Sequence, residues 1–94
     1  MTTPNKVPTV YIAVLKQDKT IQVVPVVLEN GTEDIETGLT YNKAIAEVAK
    51  QGGNPVLALD IEGGELAEAE NNPRLQDYKE EFKRIRQEYP NLLF

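Results

Sequence analysis

The sequence predicts a small α+β protein: a single-domain β-β-α-β-α sandwich over residues 1–94, with a three- or four-stranded sheet and its helices packed on one face. Three observations lead there. Two apolar, β-branched runs near the N-terminus are joined by a short polar connection, as in a hairpin. A helical stripe ended by a double glycine leads into a third apolar run that opens on Pro55. The chain then carries an amphipathic helix with Asn72 and Pro73 at its start and Pro90 beyond its end.

Residues 1–6 are polar and are expected to fray. Residues 7–15 form the first strand, with Val10, Ile12 and Val14 on one face and Tyr11, Ala13 and Leu15 on the other. Apolar residues on both faces suit an interior strand covered on both sides. Lys16, Gln17, Asp18 and Lys19 make the turn, and residues 20–28 form the second strand. Pro25 has no N–H for a ladder, which places that strand at an edge or at a bulge. Asn30 and Gly31 signal a turn, and residues 32–38 are polar and weakly patterned.

Thr40 is the expected N-cap of a helix over residues 41–51, stopped by Gly52 and Gly53. Tyr41, Ala44, Ile45, Val48 and Ala49 share one helical face. A third strand covers residues 56–62, and residues 65–70 supply one or two helical turns. The C-terminal helix spans residues 73–89, where Leu75, Tyr78, Phe82, Ile85 and Tyr89 recur at spacings of 3, 4, 3 and 4. Residues 90–94 form an apolar tail with Leu92, Leu93 and Phe94.

The chain has no histidine and no cysteine, which removes the side chains that supply most activated nucleophiles and transition-metal ligands. No disulfide framework is available, and no apolar run approaches the ~20 residues of a membrane span. A polar start without a signal-peptide pattern makes the expected location cytoplasmic. The net charge of −5 is uneven: residues 29–70 hold ten acidic residues against Lys43 and Lys50. Direct nucleic-acid binding is disfavoured by that field, and the cluster Lys83, Arg84 and Arg86 is too small to reverse it.

The acidic run from Asp60 to Glu70 lacks the spacing of a calcium loop, and its carboxylates read as solvated surface; no metal or cofactor is expected. Gly63 and Gly64 precede glutamates that repel a phosphate, so both glycine pairs read as turns. Paired carboxylates in so short a chain have little depth in which to be desolvated, so no catalytic residue is assigned and an enzyme is not expected.

What remains is the C-terminal stripe. A 3-4-3-4 repeat is a seam for a sheet or for a second helix. The expected function is a non-enzymatic interaction module (a regulator, adaptor or inhibitor) docking through Leu75, Tyr78, Phe82, Ile85, Tyr89, Leu92, Leu93 and Phe94. Its expected partners are itself, as a homo-oligomer with a dimer favoured, and another protein; no membrane or nucleic acid is expected. Two alternatives stand beside it. One is an acidic nucleic-acid mimic presenting Glu33, Asp34, Glu36, Glu62, Glu65 and Glu68; the other is a small-ligand binder with a pocket between subunits.

Overall fold

A computed structural model of the chain describes residues 9–29, 37–61 and 64–90. Three strands, β1 (Thr9–Lys16), β2 (Ile21–Val27) and β3 (Pro55–Asp60), form one antiparallel sheet in the order β2-β1-β3. Helix α1 (Leu39–Lys50) links β2 to β3; α2 (Glu65–Glu70), a 3-10 helix (Pro73–Tyr78) and α3 (Lys79–Glu88) follow. A three-stranded antiparallel sheet with three α-helices gives the α+β class expected, and β3 ends at Asp60, two residues short of the expected segment.

β1 is central and buried on both faces. Ile12, Ala13, Val14 and Leu15 are each at most 1% exposed. Because alternate side chains leave a strand on opposite sides, these residues divide between two cores. Val10, Ile12 and Val14 join Val24, Val26, Ala44 and Val48 under α1. Ala13 and Leu15 join Ile21, Leu59, Leu66, Tyr78, Phe82 and Ile85 under α2, the 3-10 helix and α3. The expectation of helices on one face is therefore corrected: helices cover both. The reason lies in β1 itself, whose even and odd positions are all apolar and each need a layer to bury them.

The hairpin pairs Leu15 with Ile21 and Thr9 with Val27, and Pro25 lies opposite Tyr11. Lys16 N–H donates to the Thr20 carbonyl at 2.9 Å, so ladder bonds run from even residues of β1 to β2. Ile21, Val23 and Pro25 thus turn their backbone groups to the outer edge, where a missing N–H costs no ladder bond. On the other side, Ile61 N–H donates to the Tyr11 carbonyl at 3.2 Å, so odd residues of β1 bond β3.

Helix α1 starts two residues earlier than expected. Gly38, with φ of 78°, holds the N-cap position, and Thr40 lies inside the helix at 1% exposure. Among the described residues Thr40 Oγ1, which is buried, has no hydrogen-bond partner. At the other end, Gly52 (φ 90°) donates to the Ala49 carbonyl at 3.0 Å and Gly53 to the Val48 carbonyl at 3.0 Å, a Schellman stop. Gly53 is further constrained because a Cβ there would stand 2.8 Å from Val48 Cγ1.

The C-terminal helix expected over residues 73–89 is two segments. Asn72 caps it as anticipated, accepting from Arg74 N–H at 2.9 Å with Pro73 at the start. Leu75 then leaves helical geometry (φ −111°, ψ 18°), and α3 begins only at Lys79. Gln76 Nε2 donates back to the Glu70 and Asn72 carbonyls at 3.1 and 3.0 Å, which holds the tight first segment against the end of α2. Tyr78, at the junction, donates its hydroxyl to the Lys16 carbonyl at 2.5 Å and ties this layer to the hairpin turn.

Two substitutions test this packing. Phe82 is 2% exposed in the α3 core, so Phe82→Ala is expected to cost about 3–5 kcal/mol in chemical denaturation. Thr40→Val replaces a buried, unpartnered hydroxyl by a methyl of the same shape and is expected to raise the melting temperature by several degrees. A lower melting temperature for Thr40→Val would mean that the hydroxyl is satisfied.

Candidate interaction surface

Of the eight residues expected to form a docking seam, five are described, and three of those five are interior. Tyr78, Phe82 and Ile85 are at most 3% exposed and face the protein's own sheet. Leu75 and Tyr89 are half-buried at the margin of the same core, with the Tyr89 ring 6.3 Å from that of Tyr11. Leu92, Leu93 and Phe94 lie outside the described residues, as do Glu33, Asp34, Glu36 and Glu62. Of the acidic set, Glu65 and Glu68 are described, and both line a groove beside β3.

The two sheet edges are treated differently. At the β2 edge, Ile21 N–H donates to Glu81 Oε1 at 2.8 Å, and the Ile21 carbonyl accepts from Arg84 Nη2 at 2.7 Å. Glu81 and Arg84 are themselves paired, at 3.0 Å between Oε2 and Nε. One helical turn of α3 thus supplies a donor and an acceptor where a neighbouring strand would otherwise pair. Arg84 also bonds Glu88 at 2.8 Å, which fixes the guanidinium between two carboxylates. The Arg84 hydrogen bond holds the Glu81 carboxyl below its ordinary value, assisted by the Ile21 N–H and opposed by burial. Further along this edge a hollow of about 220 Å³ is lined by β2 residues with Glu29, Lys43 and Glu47. Its Lys43 is paired with Glu29 at 3.9 Å.

The β3 edge is more open. Between Leu15 and Lys16 the register shifts, so that Leu15 faces Leu57 and Lys16 faces Pro55, leaving Val56 as the extra residue of a bulge. Val56 is 56% exposed and Leu57 37%. At the other end of the strand, Asp60 N–H donates to Glu65 Oε1 at 2.7 Å. Between bulge and carboxylate lies Ala58. By the register it faces Val14 in a pair without ladder bonds, so its N–H and C=O point away from the sheet. Among the described residues neither group has a partner.

Beside this edge, Leu57, Leu59, Ala69 and Leu75 combine with Glu65, Glu68 and Asn72 to line a groove of about 210 Å³. That is below the ~300 Å³ at which small-molecule pockets begin, and large enough for individual side chains of a docking chain. Sequence reasoning missed Val56, Leu57 and Ala58. The available signal was the third strand itself: Val56 to Leu59 is apolar on both faces, and among the described residues no further strand pairs with it.

Among the described residues no group of three acidic side chains is placed to hold a metal ion, and no helix is long and apolar enough to cross a membrane. A second polar cluster joins Tyr41, Asp60 and Glu65. The Tyr41 hydroxyl donates to Glu65 at 3.2 Å, and burial, the nearby Glu65 charge and that hydrogen bond push its pKa up to about 12. Glu65 accepts both bonds while sitting in the first turn of α2, where a carboxylate also favours the helix. This cluster braces the end of β3 against both helical layers.

Its electrostatics set two pH dependences. Raising the Tyr41 pKa favours the folded state while the phenol is neutral. That contribution is complete below pH 10 and is lost as pH rises toward about 12. Tyr41→Phe is expected to flatten the alkaline fall in melting temperature relative to wild type. Glu81 has the opposite sign: its lowered pKa adds stability above its ordinary value of 4.5, and this is lost as pH falls through the lower folded value. Glu81→Gln is expected to reduce the acid sensitivity of unfolding. Parallel pH profiles for wild type and mutant would refute either assignment.

Comparison with protein-family models, with curated proteins and with solved structures finds no match, so the functional reading rests on this geometry.

Proposed function

We propose that this chain is a non-enzymatic protein-docking module whose contact surface is the β3 edge and the groove beside it. One observation carries the reading: the β2 edge is blocked at Ile21 by Glu81 and Arg84 and lacks a donor at Pro25, whereas the β3 edge presents exposed Val56 and Leu57 and, among the described residues, an unpaired Ala58 backbone beside a groove that holds two carboxylates. Edges left unpaired invite another chain, and folded proteins ordinarily block them. The C-terminal stripe supports this function indirectly. With Tyr78, Phe82 and Ile85 buried against β1, α3 has no apolar face left for a partner, and the docking role passes to β3.

A photoreactive amino acid at Val56 tests the reading in extract of the source cell. It is expected to give a discrete adduct with another protein, while the same group at the exposed Gln87 of α3 gives none. Equal labelling at the two positions, or no adduct at Val56, would overturn it.

A further inference from the structure

Resting on the docking reading above, we infer that the β3 edge takes an extended, cationic segment of a partner protein, added to the sheet as a strand with lysine or arginine at alternate positions. The backbone part of the argument starts at Ala58. Its outward N–H and C=O form a free pair of the spacing that an added strand uses, bounded by the Val56 bulge and the Glu65–Asp60 bond. The pairing is therefore short, and side chains must supply the rest of the affinity.

Side-chain chemistry selects the occupant. Strand residues opposite Leu57 and Leu59 would point to the groove side of the sheet, because cross-strand neighbours share a face. The groove there mixes aliphatic lining (Leu57, Leu59, Ala69, Leu75) with the carboxylates of Glu65 and Glu68. Lysine and arginine match that mixture, since the methylene stem packs on apolar surface while the charged head reaches a carboxylate. Residues alternating with them would face the α1 side, beside Val56 and Ala58, where small β-branched side chains fit. The net charge of −5 adds long-range attraction for a cationic segment.

A second copy of this chain is a poorer occupant. Antiparallel pairing of two β3 strands about a twofold axis normal to the sheet keeps each layer on its own side. It would set α2 of both copies over one seam, Glu65 and Glu68 facing their equivalents, and like charges juxtaposed there oppose assembly.

Fluorescence anisotropy with a peptide alternating lysine and valine tests the inference on the full chain. This peptide is expected to bind, and a glutamate–valine counterpart to bind at least about tenfold more weakly, equivalent to ~1.4 kcal/mol. Glu68→Lys is expected to weaken the lysine peptide by a similar factor, and Glu80→Lys, on exposed α3 surface, to leave it unchanged. N-methylation of the peptide at alternate residues removes the donors that would reach Ala58 and is expected to abolish binding in one of its two phases. Amide exchange at Ala58 should slow in the complex. No binding, equal binding of the acidic peptide, indifference to Glu68→Lys, or self-association protecting Ala58 would each overturn the inference. If no peptide binds while Val56 still cross-links a partner, the docking reading stands and strand addition fails. If the peptide binds but Val56 labels nothing in extract, the docking reading fails instead.

Discussion

Two-sided burial of β1 is the constraint from which the architecture follows. Four consecutive residues, Ile12 to Leu15, are nearly inaccessible, and alternation sends them to opposite sides of the sheet. Each side must then be roofed. Helix α1 covers Val10, Ile12 and Val14 with Ala44 and Val48, while Tyr78, Phe82 and Ile85 cover Ala13 and Leu15. A short chain buries only about 60–65% of its unfolded surface, so it cannot leave a large aromatic stripe outside. The burial of Phe82 and Ile85 is thus a consequence of β1 having two apolar faces.

Placing β1 at the centre creates two outer strands, and their different treatment is the most informative feature of the surface. β2 is interrupted at two positions, with the Val23 groups between them facing outward: Pro25 offers no donor, and Ile21 is bonded by Glu81 and Arg84, a pair anchored further by Glu88. Surface ion pairs alone are worth little, commonly 0–1 kcal/mol. Here the pair also meets two backbone groups of a strand edge, which gives it a role in pairing specificity beyond its stability. Among the described residues β3 is protected at its ends, by the Val56 bulge and by the Glu65 carboxylate. The same Glu65 accepts from Tyr41, so the end of the open strand is fastened to α1 and α2 together.

Much of this was legible in the residues. The hairpin, the edge position of the strand holding Pro25, the start of β3 at Pro55 and the Asn72 cap all follow from local chemistry, because proline and capping residues act through their immediate backbone. The two-layer cover was also written in β1, where both parities are apolar, yet counting the helices to one face overlooked what that requires. Thr40 misled because a hydroxyl before an apolar stripe resembles a cap, whereas Gly38 at φ 78° makes the entry and the Thr40 side chain is drawn into the interior. The break at Leu75 depends on Gln76 reaching the Glu70 and Asn72 carbonyls, a contact between elements that periodicity does not encode. For the same reason the apolar run of the third strand signalled burial and not the open surface at Val56, Leu57 and Ala58. Their exposure results from sheet order, not from residue type.

Sheet order also explains why the open edge can persist without exposing a long apolar strand. Six residues make β3, and the bulge removes Val56 from regular pairing while Glu65 occupies the Asp60 N–H. That leaves the Ala58 pair as the regular outward site, too short to template a stack of identical strands. Flanking carboxylates further discourage a second copy, because antiparallel pairing of β3 with itself about a twofold normal to the sheet brings Glu65 and Glu68 toward their equivalents. An edge shortened at both ends and ringed by negative charge resists self-pairing while remaining accessible to a chain of opposite charge. The physical features that oppose self-pairing of this edge are therefore the ones from which the proposed cationic partner is argued.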